Sequence, residues 1–276
     1  MADTLTVPAV RSRKRRDGAA PLVMITAYDA PTASAVDTAG VDLILVGDSV
    51  ANTVLGYENT LSVTISDMAH HVAAVARARP NALVVGDMPW MSYHTSRHEA
   101  VRNAAALIRA GAGAVKLEGG TRRVPVIEAI VGAEIPVMGH LGLTPQSVHV
   151  MGGYRVQAKH ADAAEALALD AEAIAAAGCF AIVLEAMPDV VGAMVTDRIE
   201  IPTIGIGAGA SCDGQVLVAH DLLGFGEAPP AKFVRRYADV RGVIVEAVSK
   251  WAGDVRSGAF PSDAETYHMP AGSPSG

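Results

Sequence analysis

Asp48, Asp87, Glu118 and Glu185 each close an apolar run, in "LILVGDS", "ALVVGDMP", "AVKLEGG" and "AIVLEAMP". A carboxylate withdrawn from water costs several kcal/mol unless a cation or hydrogen-bond donors meet it. Four acids in the same register therefore imply one shared site with a cation in it. Oxygen ligands without a neighbouring His pair or Cys favour a hard ion such as Mg²⁺, which keeps waters and leaves places for substrate oxygens. Asp48 and Asp87, short and fixed at strand ends, are the expected direct ligands, with Glu118 bound directly or through water.

Other residues complete the chemistry. Lys116 lies two positions before Glu118, on the same face of a strand, where it could meet a substrate carboxylate or a developing oxyanion, or balance the acids. Glu185, followed by Ala186, Met187 and Pro188, is the candidate general base if it stands off the metal, and a further ligand if it does not. His140, in "GHLGLTPQS" at the end of the fifth strand, could hydrogen-bond substrate or serve as a structural histidine, and the turn after it adds polar Gln146 and Ser147. The paired glycines of "MGGYRVQ" suit a lid hinge.

Such residues need strands to aim them. Eight apolar runs are legible, at 21–27, 41–47, 82–87, 113–118, 135–140, 180–185, 201–207 and 214–220. Continuous rather than alternating hydrophobicity predicts parallel strands covered on both faces. Between them, 30–40, 98–112 and 162–178 carry apolar positions every three to four residues, and Gly40, Gly111 and Gly178 end them. Eight strands close a parallel barrel, so the expected fold is an α/β, single-domain (β/α)8 TIM barrel with chemistry at its C-terminal rim. The expected boundaries are an N-terminal basic arm or helix over 1–20, the barrel over 21–260 and a partly mobile tail over 261–276.

Composition narrows the function class. The chain has 276 residues, half of them apolar, enough for a large core. Its net charge of −7 gives it no general attraction to nucleic acid or anionic lipid, so small molecules are the expected partners. The basic run "RSRKRR" at 11–16 is read as a solvated arm or first helical turn. No apolar stretch reaches membrane-spanning length and the N-terminus lacks signal-peptide order, so a soluble intracellular protein is expected. Cys179 and Cys212 have neither zinc nor disulfide spacing. "GIGAGASCDG" lacks the third glycine and the distant acid of a dinucleotide fingerprint, so close packing after strand seven is expected there and no nicotinamide cofactor.

Longer blocks carry a resemblance. "MITAYDAPTASAVDTAGVDLILVGDSVANTVLGYENTLSVT", "DMPWMSY", "AGAGAVKLEGG", "GHLGLTPQSVHVMGGYRVQ", "VLEAMP" and "IGIGAGASCDGQVLVAHDLLG" together resemble the ketopantoate hydroxymethyltransferase family, from about Leu22 to "YHM". The resemblance implies a barrel enzyme that moves a one-carbon unit from methylenetetrahydrofolate to 3-methyl-2-oxobutanoate, giving 2-dehydropantoate for pantothenate and coenzyme A synthesis. It also implies Mg²⁺, a cytoplasmic location and a homodecamer of two five-membered rings. By motif, its metal acids fall on Asp48, Asp87 and Glu118, its substrate contacts on Asp48, Ser49, Asp87 and Lys116, and its proton acceptor on Glu185. Two alternatives stay open: another Mg²⁺ enolate barrel of the phosphoenolpyruvate mutase or isocitrate lyase type, and an inactive binding barrel.

Overall fold

A computed structural model of the chain describes residues 4–14, 18–227 and 229–269. Arg15 and Arg16 of the basic run, and residues 270–276 of the expected mobile tail, lie outside them. The strands are β1 (Leu22–Thr26), β2 (Leu43–Val46), β3 (Leu83–Asp87), β4 (Ala114–Glu118), β5 (Val137–Gly142), β6 (Ala181–Glu185), β7 (Thr203–Ile206) and β8 (Gly214–Leu217). Each falls within or overlaps one of the eight apolar runs. All are parallel, each pairs with the next, and β8 pairs back to β1 to close the barrel.

The helices are α1 (Val7–Arg11), α2 (Ala30–Thr38), α3 (Val50–Thr53), α4 (Ile65–Ala76), α5 (Arg97–Ala110), α6 (Val124–Gly132), α7 (Val148–Met151), α8 (Ala161–Ala176), α9 (Asp189–Arg198), α10 (Ala219–Leu223) and α11 (Val240–Ser257). Local chemistry starts and stops them. Thr64 and Asp67 form a reciprocal capping box at the start of α4. Gly111 ends α5 at φ 112°, in the left-handed region that a side chain would strain.

The chain divides into two compact units: one runs to Ala219 and includes Lys232–Val234, and the other comprises His220–Ala231 and the chain from Arg235 on. The first contains the whole barrel. Inside the barrel, Leu22, Met24, Leu43, Leu45, Val85 and Met138 form one buried cluster. Between strands and helices, Ile44, Val46, Val84, Val115, Leu117 and Ile182 belong to another. The two-residue strand period accounts for this division, because successive side chains point to opposite faces of the sheet.

The basic run departs from expectation at Lys14. Rather than being solvated, it is buried, and its Nζ donates to Thr196 O (2.6 Å), Ile201 O (3.2 Å) and Asp213 Oδ2 (2.9 Å). Those acceptors precede β7 and β8, so the arm closes the N-terminal end of the barrel, and its ammonium is met by an ion pair and two carbonyls. Glycines after β7 pack as expected: a Cβ on Gly207 would lie 2.7 Å from Phe233, and one on Gly209 2.6 Å from Asp189.

Candidate active site

The same period aims the acids. On β3, Leu83 and Val85 face the barrel interior, and Asp87 continues that series. On β4, Ala114 is followed at the same spacing by Lys116 and Glu118; on β5, Met138 by His140; on β6, Ala181 and Val183 by Glu185. Asp48 and Ser49 lie just past β2, at the start of α3. Strand register pairs Asp87 with Lys116 and Glu118 with His140. These residues all line one cavity of about 230 Å³ at the C-terminal end of the barrel.

Its electrostatics follow from burial. Lys116 Nζ donates to both Asp87 oxygens, at 2.7 and 2.6 Å. Burial opposes the charge of that ammonium, but the facing Asp87, Glu118 and Asp48 carboxylates win and raise its pKa. Asp48 receives hydrogen bonds at Oδ2 from Gln146 Nε2 (3.0 Å), and its own N–H donates to Asp87 Oδ2 (3.2 Å). Burial, then repulsion from Asp87 and Glu118, pushes the Asp48 carboxyl up to about 8. The site thus holds more negative charge than Lys116 balances.

His140 is fully enclosed between two acids. Its Nδ1 lies 3.3 Å from Glu118 Oε1, and its Nε2 3.2 Å from Glu185 Oε2. Burial and Lys116 disfavour the imidazolium, yet the two carboxylates raise its pKa to about 9. Glu185 is the least buried of the four acids, its side chain 16% exposed toward the cavity. Ala186, which follows it, has φ 48°, an uncommon backbone geometry for a residue with a side chain and one often kept at functional sites. Gly142 on β5 admits this turn, since a Cβ there would lie 2.2 Å from Glu185 O.

Ser49 Oγ shares a 2.8 Å hydrogen bond with the Tyr28 hydroxyl. Two residues to which the motifs give no role also help to build the site, Gln146 at the carboxylates and Tyr93 behind it. Gln146 donates from its backbone to Glu118 Oε2 (3.0 Å) as well as to Asp48, and Tyr93 donates to Gln146 Oε1 (2.7 Å) while accepting the Glu118 N–H (3.2 Å). Tyr154, just after Gly152 and Gly153, lines the cavity and is half-exposed.

The donor set suits a hard divalent cation. Asp48, Asp87 and Glu118 offer oxygen only, and Glu118 Oε1 is buried without a hydrogen bond. Among the described residues no three acidic, His or Cys groups are arranged to hold a metal by themselves. Two carboxylates completed by water and substrate oxygens are, however, the usual protein share of a Mg²⁺ site.

Comparison with known proteins places this chain in a family. The family model described as ketopantoate hydroxymethyltransferase matches residues 4–263. A 3-methyl-2-oxobutanoate hydroxymethyltransferase of Koribacter versatilis is 56% identical over 91% of this chain and 85% of that protein. A second, of Bradyrhizobium diazoefficiens, is 52% identical over 97% of this chain and 91% of that protein. Among solved structures, a phosphonopyruvate hydrolase aligns with TM-score 0.63 at 12% identity, covering 96% of this chain and 92% of its own. A phosphoenolpyruvate phosphomutase of Streptomyces platensis aligns with TM-score 0.62 at 15% identity, covering 92% and 88%. At those identities the structural likeness is one of fold.

Proposed function

The chain belongs to the ketopantoate hydroxymethyltransferase family, and we propose that it makes 2-dehydropantoate from 3-methyl-2-oxobutanoate and methylenetetrahydrofolate, with Mg²⁺, at the cavity formed by Asp48, Asp87, Lys116, Glu118, His140 and Glu185. The observation that carries this reading is that Asp48, Asp87 and Lys116, from β2 to β4, and Glu185, from β6, line the same cavity, with Lys116 held on Asp87 and Glu185 beside His140. The first three would receive a 2-oxo acid, and Glu185 would receive a proton from it.

Asp48 and Asp87 would hold Mg²⁺, with Glu118 beside them. When bound, the ion would act as a Lewis acid toward the 2-oxo acid and ease removal of the hydrogen at C3. Lys116 and Ser49 would hold the substrate carboxylate, and the Lys116 ammonium would favour charge developing on the adjacent oxygen. Glu185 would take the C3 proton, and His140 Nε2, 3.2 Å away, would hold its carboxylate in place. The C3 carbon so deprotonated would form its new bond to the methylene carbon of the folate. Both bonds from that carbon to folate nitrogens would break, a water would supply the product hydroxyl, and the water's proton and the one taken by Glu185 would go to the two nitrogens as tetrahydrofolate leaves. A cavity of about 230 Å³ is smaller than the roughly 300–1,000 Å³ of sites for drug-sized ligands. It suits a five-carbon acid and leaves the folate at the mouth, near Tyr154.

The family resemblance further supports a place in pantothenate synthesis, a cytoplasmic enzyme and a homodecamer. No helix among the described residues is long and apolar enough to cross a membrane. For assembly there is one further support: α11 leaves Ile244, Val248, Trp251 and Val255 exposed along a single face.

Phosphoenolpyruvate mutase and isocitrate lyase chemistry does not use a folate carrier. Turnover of 3-methyl-2-oxobutanoate that depends on methylenetetrahydrofolate supports the proposal, whereas carbon–carbon cleavage without folate would overturn it.

A further inference from the structure

We propose that Gln146 is the positioning residue that orients Asp48 and Glu118 toward the metal, by holding one oxygen of each carboxylate and leaving the other oxygen of each without a hydrogen bond. This rests on the metal reading given above. Gln146 sits in the turn after β5, at Pro145–Ser147, and is buried. Its Nε2 donates to Asp48 Oδ2 at 3.0 Å, and its backbone N–H donates to Glu118 Oε2 at 3.0 Å. Glu118 Oε1 receives no hydrogen bond, although His140 Nδ1 is 3.3 Å away, and no hydrogen bond engages Asp48 Oδ1 among the described residues.

The direction of the amide is over-determined. Nε2 faces two acceptors, Asp48 Oδ2 and Met88 O, the latter also at 3.0 Å, so both of its hydrogens are used. Oε1 faces a donor, the Tyr93 hydroxyl at 2.7 Å, whose own acceptor role is filled by the Glu118 N–H. A flipped amide would set Oε1 against a carboxylate and a carbonyl. One residue from the β5 loop therefore ties the acid after β2, the acid ending β4 and the backbone just beyond β3. Residues that hydrogen-bond metal-binding carboxylates in this way typically change metal affinity by about 10–100-fold when lost.

Gln146→Met keeps volume and burial and removes both donors to Asp48 and Met88, while the backbone bond to Glu118 stays. The test measures Mn²⁺ affinity of the full chain by titration calorimetry, alone and with 3-methyl-2-oxobutanoate, together with Tm. At least a tenfold weaker Mn²⁺ affinity of the folded variant is expected, with exchange of the substrate C3 hydrogen recovering as Mn²⁺ is raised. A role in folding alone would lower Tm and leave the affinity of the folded molecules unchanged, and that result would overturn the proposal. Should Gln146→Met not fold, Gln146→Asn draws the same donors back by one methylene, and the same tenfold criterion decides. If the unaltered protein binds no Mn²⁺, the metal reading fails and this inference with it; binding by the unaltered protein that the variants match overturns the inference alone.

Discussion

His140 Nε2 lies 3.2 Å from Glu185 Oε2, while the other nitrogen of the same buried ring lies 3.3 Å from Glu118 Oε1. One imidazole thus joins the acid assigned to proton transfer with an acid beside the metal pair. Glu185→Gln keeps a hydrogen-bonding group against His140 and removes the basic oxygen. Substrate binding should persist while C3 hydrogen exchange slows by roughly 10²-fold or more. Exchange within a few-fold of the unaltered protein, read by NMR, would take Glu185 out of that role.

Asp48→Ala and Asp87→Ala should each weaken Mg²⁺-dependent binding of 3-methyl-2-oxobutanoate, since each withdraws one of the two proposed carboxylate ligands. Asp87→Ala should also free Lys116, whose Nζ now contacts both Asp87 oxygens. Substrate titration with and without Mg²⁺ reads the effect. An unchanged Mg²⁺ requirement in either variant would count against that residue as a ligand.

Much of this was legible in the sequence, for a physical reason. A parallel strand covered on both faces has a continuous apolar run, so a carboxylate at its end stands out, and the two-residue period then aims Asp87, Lys116, Glu118, His140 and Glu185 at one cavity. What escaped was contact between distant loops. Gln146 meets Asp48 across 98 residues and Tyr93 across 53, and a lone polar residue in a turn carries no local mark of either. Lys14 escaped similarly: a basic run is ordinarily solvated, and its acid, Asp213, is 199 residues away.

Lys14→Met tests the closure at the N-terminal end of the barrel. It would leave Asp213 buried without its ammonium, and breaking a buried pair in this way costs about 3–5 kcal/mol. For a chain of this size that is a fall in Tm on the order of 10 °C. Because Lys14 lies at the end opposite the acids, kcat per folded molecule should hold. Calorimetry and an active-fraction assay check the two halves, and an unchanged Tm would contradict the structural role.

His94, which also feels the Glu118 charge, gives a pH test of the fold. Burial, then the nearby Arg123 charge, lowers its pKa to about 4 from an ordinary 6.5. The unfolded chain therefore takes up a proton at His94 before the folded one does, and folding stability is lost as pH falls from about 6.5 toward about 4. His94→Gln should flatten that part of the stability-against-pH curve while leaving stability above pH 7 nearly unchanged. Parallel curves for the two proteins, from thermal melts across this range, would contradict the assignment.

The most direct test of the central claim is proton NMR of 3-methyl-2-oxobutanoate in D₂O with the full chain, following deuteration at C3 with and without Mg²⁺ and then adding methylenetetrahydrofolate. Mg²⁺-dependent loss of the C3 proton signal, followed by growth of 2-dehydropantoate signals once folate is present, is the expected result. Bound substrate that neither exchanges nor reacts would contradict it and favour a barrel that binds the acid without turning it over.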